Sequence, residues 1–250
     1  MAYLSCQAGH YAAAATDLLR QPGGVREHQM KGRNEAGYDR QLIIALRSEY
    51  GGGGVEAQAQ ALDGKRRVPP VPSEVVAMDP HPSSFDALHR ALAGHASVPL
   101  PLSARSRLYL VGHGDAANRL VSGWTAPDLA AALANAGLRE VATVSIVADG
   151  AGRDPDLDDD TAQVSAGASS FASVLHQRLC DLHAVTTTVH ARVGAVRVSE
   201  VADAAVAGSI ERGRKLTSKL PGEVATEHHG PRSKLTFSWN GSHQHVEWSR

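Results

Sequence analysis

Aromatic residues are scarce in this sequence, at 4% of its 250 positions, so any core has to be built from Val, Leu, Ile and Ala. Cysteine occurs twice, at Cys6 and Cys180, and two thiols so far apart make no disulfide framework, which points to a reducing compartment. No apolar run is long enough to span a bilayer. The amino terminus lacks a basic start followed by a long apolar core, which argues against a Sec signal peptide. Charge of one sign is also missing. A formal balance of -1 gives no bulk attraction to nucleic acid or to a membrane surface, so a basic site has to come from local clustering. There is no internal repeat, and the length suits one large or two small domains with a proper core.

What is present is an alternation of apolar strand-like and helix-like segments. Residues 1–33 read as a peripheral segment with a short helix at 11–20, ended by Pro22-Gly23-Gly24. Strands are expected at 38–46, 75–78, 107–111, 142–148, 185–189 and 195–198. Helices are expected at 55–62, 84–93, 125–137 and 169–182, each with apolar residues at helical spacing. Ser83 or Ser84 is a candidate cap for the second of these. In the third, Thr125 caps, Pro127 fits the first turn and Gly137 stops the helix. Residues 154–160 read as a solvated acidic loop, 208–220 as a basic loop, 234–240 as an edge strand or hairpin arm, and 241–250 as a polar tail. Strand–helix alternation of this kind predicts an α/β fold with a mostly parallel sheet and helices on both faces.

Two strand ends stand out. Arg107-Leu-Tyr-Leu-Val-Gly-His-Gly114 delivers His113 at the carboxyl end of a buried strand, and Ala142-Thr-Val-Ser-Ile-Val-Ala148 ends on Asp149-Gly150. Ligands of open α/β sheets bind beyond the carboxyl ends of strands. Imidazole is the usual general base near neutral pH, and an aspartate can orient it by accepting its second N–H. A strand-end histidine beside a turn aspartate is the plainer alternative.

The blocks Leu108–Gly114, Val121-Ser-Gly-Trp-Thr-Ala-Pro-Asp-Leu-Ala130, Val144-Ser-Ile-Val-Ala-Asp149, Gly213-Arg-Lys-Leu-Thr217 and Lys234-Leu-Thr-Phe-Ser-Trp239 resemble, in order, the cysteine protease domain of RTX and clostridial toxins. The resemblance covers about residues 34–240 and implies a caspase-like sheet. In that family the histidine ends one strand and the nucleophilic cysteine the next. The positions here are His113 and Asp149, and an aspartate does no thiolate chemistry. Three readings follow. In the first, His113 is the base, Asp149 orients it and the thiol is relocated, as in the similar TecA-type effectors that deamidate host Rho GTPases. Position 36, occupied by Ala36, is then the suspected site of a replaced nucleophile, and Cys6 a weaker candidate. In the second, the domain is a cysteine-protease-like pseudoenzyme that binds a polyphosphate, with autoprocessing proteolysis the enzymatic alternative. In the third, Asp149 itself is the nucleophile or base. Cys180, beside Leu179 and Leu182, reads as a small core residue.

The resemblance also implies inositol hexakisphosphate as activating ligand, held by Arg192, Arg214, Lys215 and Lys234, and a secreted bacterial effector acting on a host protein in the host cytosol. Converging basic side chains suit a polyphosphate. No metal is expected. His228, His229, His243 and His245 lack a cysteine or carboxylate to complete a set, and the acidic loop lacks the glycine and terminal glutamate of a calcium loop. Nucleic acid and stable membrane insertion are not expected either.

Overall fold

Gln41-Leu-Ile-Ile-Ala-Leu46 is apolar and β-branched enough to be buried on both faces of a sheet, and all of its residues are buried. This is β1 (Gln41–Leu46), the first described element of the chain. In the computed structural model the described residues are 37–48, 53–63, 71–79, 84–95, 98, 100–155, 169–202, 212–219, 234–241 and 243–248. After β1 come α1 (Gly53–Asp63), β2 (Ser73–Met78), α2 (Phe85–Ala93), β3 (Arg107–Val111), β4 (Gly114–Asp115), β5 (Leu120–Val121), β6 (Trp124–Thr125) and α3 (Ala126–Asn135). The chain continues through β7 (Glu140–Val147), α4 (Phe171–Gln177), a π-helical turn (Arg178–Leu182), β8 (Thr186–Arg192), β9 (Ala195–Ala202), β10 (Arg212–Lys219), β11 (Lys234–Trp239) and β12 (Gln244–Trp248).

The main sheet has seven strands in the order β12-β11-β8-β7-β3-β1-β2. From β2 to β8 all neighbours are parallel, and β11 and β12 close the row antiparallel. Strand alternation sends Leu42, Ile44, Leu108, Leu110, Val144, Ile146, Val189, Leu235 and Phe237 into one packed layer. Leu88 and Leu92 of α2, Leu129 and Leu133 of α3, and Phe171 and Leu175 of α4 cover that face. The opposite face holds Ile43, Ala45, Tyr109, Val111 and Val147 under Val55, Ala59 and Leu62 of α1. The fold is therefore a caspase-like α/β sheet with helices on both faces, as the sequence predicts.

Local chemistry sets the ends of the elements. Thr125 Oγ1 accepts the Asp128 N–H at 3.3 Å and donates to Asp128 Oδ2 at 2.6 Å, a reciprocal cap for α3. Gly137 then takes φ 105°, which a side chain would strain. Ser84 does not cap α2, because its hydroxyl donates to the Asp79 carbonyl at 2.8 Å. The fully buried Arg40 donates to the carbonyls of Ala91 and Leu100 and to Glu74 Oε2, tying the start of β1 to α2, β2 and the 100–102 segment.

Several expectations change. The basic loop at 208–220 contains β10, which pairs antiparallel with β9 as a separate two-stranded sheet. The expected tail contains β12, which pairs antiparallel with β11, so the sheet extends to Trp248 and residues 234–239 are a hairpin arm, as one of the two expected alternatives had it, and not the edge strand. The helix expected at 169–182 widens into a π turn over its last residues. The helix expected at 11–20 and most of the acidic loop lie outside the described residues. No helix among the described residues is long and apolar enough to cross a membrane.

Candidate functional site

The parallel strands bring the two sequence-predicted strand ends together. The Gly112 N–H donates to the Val147 carbonyl at 3.1 Å, so β3 and β7 stay paired up to the residue before His113. A Cβ on Gly114 would overlap the Asp149 carbonyl, so only glycine allows this close approach. The His113 backbone is clamped on both sides by Ser122: its N–H donates to Ser122 Oγ at 3.0 Å, and its carbonyl accepts the Ser122 N–H at 2.7 Å. Ser122 is itself held at φ 51° and Arg119 at φ 55°, in the turns that join β4, β5 and β6, the small three-stranded sheet that follows His113. Such strain gathers at functional positions. The loop after Asp149 is pinned to the end of β8 by Gly150 N–H to Gly194 O at 3.1 Å and Gly152 N–H to Arg192 O at 2.8 Å. His113 and Asp149 are both exposed, and no hydrogen bond joins the two side chains.

The thiol side of the expected set is not reached. Ala36 and Cys6 lie outside the described residues. The neighbours of position 36 are described. The Gly37 carbonyl accepts from Arg105, and Tyr38 Oη is 3.1 Å from Thr143 Oγ1, so both lie at the amino end of β1. His113 lies beyond the carboxyl end of the parallel strand β3. Cys180 donates to the Val185 carbonyl at 3.4 Å, and burial pushes its thiol pKa up. His176 Nε2 is 3.5 Å from its sulfur. That nitrogen also donates to the Thr187 carbonyl at 3.1 Å, while Nδ1 lies 2.7 Å from Gln244 Nε2. A protonated Nε2 cannot take a proton from the thiol, so the pair is structural.

A second cluster stands on the face opposite α2, α3 and α4. The register partners Ile43, Tyr109, Ser145, His190 and Thr236 form one row across five strands, apolar at the β1 end and polar at the β11 end. Arg192 and Lys234, also register partners, lie beside it on the same face. Arg107 reaches in from β3: its guanidinium lies 4.3 Å from the Tyr109 ring centre and 5.5 Å from that of Tyr38, and donates to Ser145 Oγ at 3.1 Å. Its Nε is buried without a hydrogen-bond partner.

The charges on this face repel one another. Lys234 is lowered to about 8 by burial first, then by Arg192 and Arg107. His190 is lowered to about 3 by burial and then by Lys234, Arg107 and Arg192. Burial also lowers Arg192.

Sequence reasoning found Arg192 and Lys234 in this cluster and missed Arg107, His190, Tyr38 and Tyr109. The signal was strand alternation: Arg107 and Tyr109 share a face, as do His190 and Arg192, once the strand ending at 189 is extended to Arg192. Arg214 and Lys215 lie in β10, as register partners of Glu200 and Ser199. Comparisons with family models, curated proteins and solved structures give no match to this chain.

Proposed function

We propose that this chain is a caspase-like module that binds a polyphosphate on the basic half of its sheet. One observation carries the reading: Arg107, His190, Arg192 and Lys234 share one face of three strands, with Arg192 and Lys234 as register partners and Arg107 donating to Ser145, the register partner of His190. A cluster of half-buried basic side chains on one face suits a polyanion of several phosphates. The resemblance to toxin cysteine protease domains supplies the specific ligand, inositol hexakisphosphate, and with it action in a host cytosol. The experiment is a calorimetric titration of the full chain with inositol hexakisphosphate. Saturable binding that Lys234→Met weakens by about tenfold or more supports the reading. Binding that is absent, or unchanged in the variant, contradicts it.

A second reading is favoured by the clamped, exposed His113 beside Asp149: amide hydrolysis at a host protein, with His113 as base and Asp149 as its orienting acid. Deamidation of a Rho GTPase and autoprocessing share the same tetrahedral acyl chemistry. The candidate nucleophile positions, Ala36 and Cys6, lie outside the described residues. The test is mass spectrometry of a Rho GTPase incubated with the chain and inositol hexakisphosphate. A gain of about 1 Da on one side-chain amide, lost in His113→Ala, is the outcome this chemistry requires. An unchanged mass leaves the binding module as the function.

A further inference from the structure

The main sheet ends on one side in β12, and no strand among the described residues pairs with the outer side of that strand. The register between β11 and β12 runs unbroken from Trp239–Gln244 to Leu235–Trp248, so no bulge twists this edge away. Gln244-His-Val-Glu-Trp248 also lacks proline and lysine, the residues that commonly block an edge. Hydrogen-bond parity decides which backbone groups face outward. The Asn240 N–H donates to the His243 carbonyl at 3.3 Å. In an antiparallel ladder bonded pairs recur every second residue, so Ser238–His245 and Thr236–Glu247 are bonded pairs. The N–H and C=O groups of Gln244, Val246 and Trp248 therefore point away from β11.

The side chains divide by face. Val246 and Trp248 are only partly buried and pack at the margin of the apolar layer under α2, α3 and α4. His245 and Glu247 stand on the opposite face, with side chains 62% and 63% exposed.

We propose that β12 pairs antiparallel with β12 of a second copy of this chain, about a two-fold axis at Val246, so that two seven-stranded sheets become one continuous sheet. The occupant follows from self-complementarity, which an isologous contact requires. Centred on Val246, the pairing uses all three outward residues: Val246 meets its own copy, and each Gln244 meets a Trp248. The same register sets each His245 opposite Glu247 of the partner subunit, an imidazole N–H against a carboxylate, twice. A shift of one residue either way sets His245 against His245 or Glu247 against Glu247 instead. The axis is normal to the sheet, so the half-open apolar margins at Val246 and Trp248 close on each other.

The test is sedimentation equilibrium of the full chain, without ligand, from about 1 µM to about 1 mM. The expected result is a reversible equilibrium that reaches twice the 26.3 kDa chain mass. Val246→Pro removes an outward N–H that β11 does not use, and should abolish the dimer while leaving the circular dichroism of the monomer unchanged. His245→Glu sets carboxylates against carboxylates and should weaken the dimer about tenfold, and the exchanged pair, His245→Glu with Glu247→His, should restore it. By amide exchange, Gln244, Val246 and Trp248 should become protected as concentration rises, while His245 and Glu247, already bonded to β11, change less.

A monomer at every concentration, a dimer that a folded Val246→Pro leaves intact, or protection that arises elsewhere and not at these three amides overturns the pairing. A dimer weakened by His245→Glu that the exchanged pair does not recover overturns the register centred on Val246. The charge variants and the exchange pattern decide the outcome even where Val246→Pro fails to fold.

Discussion

The two faces of this sheet are built by opposite rules. The face under α2, α3 and α4 is continuous: Leu110, Leu129, Leu133, Phe171 and Phe237 are all nearly or fully inaccessible to solvent. The other face is divided. Its β1–β3 side is closed by α1 over Ile43, Tyr109 and Val111, while its β8–β11 side carries His190, Arg192 and Lys234 with Arg107 reaching toward them. The first region gains stability from apolar burial. The second spends some of it on repelling cations. Under the proposed function, this is the surface that a polyanion covers.

The sharpest break in this comparison comes from mutating each face in turn. Phe237→Ala, on the continuous face, should cost about 3–5 kcal/mol in urea unfolding, because a fully buried ring leaves a cavity. Lys234→Met, three residues away on the divided face, should do the reverse. It removes a repelled charge and should raise the stability of the empty protein by about 1–2 kcal/mol at neutral pH, less than the full shift implies because the ammonium retains solvent. The same substitution should weaken binding of inositol hexakisphosphate by about tenfold or more.

The pH dependence sharpens the comparison further. His190 has a folded pKa of about 3, below its ordinary value of 6.5, so the unfolded chain binds more protons between those limits. Stability attributable to this group is present above its ordinary value and is lost as pH falls toward 3. His190→Gln should therefore flatten the acid limb of a thermal-melt series in the absence of ligand. The smallest expected effect belongs to the strand ends. Ser122→Ala removes the acceptor of the His113 N–H and should cost about 1 kcal/mol by thermal melting, with faster amide exchange at His113.

Much of the fold was legible because its periods are clean. β1, β3 and β7 are apolar runs with turn residues at their carboxyl ends, and α3 carries a cap, an early proline and a terminal glycine. β12 was not legible: in Gln244-His-Val-Glu-Trp248 the polar His245 and Glu247 are exposed, and Gln244, Val246 and Trp248 are only partly buried. β10 reads as a basic loop because Arg212, Arg214, Lys215 and Lys219 mask its extended pairing with β9. The His113–Asp149 proximity followed from strand order, since parallel neighbours end together. The basic half-face was only half visible, because Arg107 and His190 sit within strands and join Lys234 only once β3, β8 and β11 share a sheet.

The central claim, that the β8–β11 half-face is a polyanion site, is tested most directly by NMR mapping of the full chain with inositol hexakisphosphate. The account predicts saturable shifts in the Arg107 and Arg192 guanidinium, Lys234 ammonium and His190 imidazole signals, with the methyl groups of Leu129 and Leu133 on the packed face unchanged. Saturable shifts centred anywhere else, or no saturable shifts at all, would contradict it.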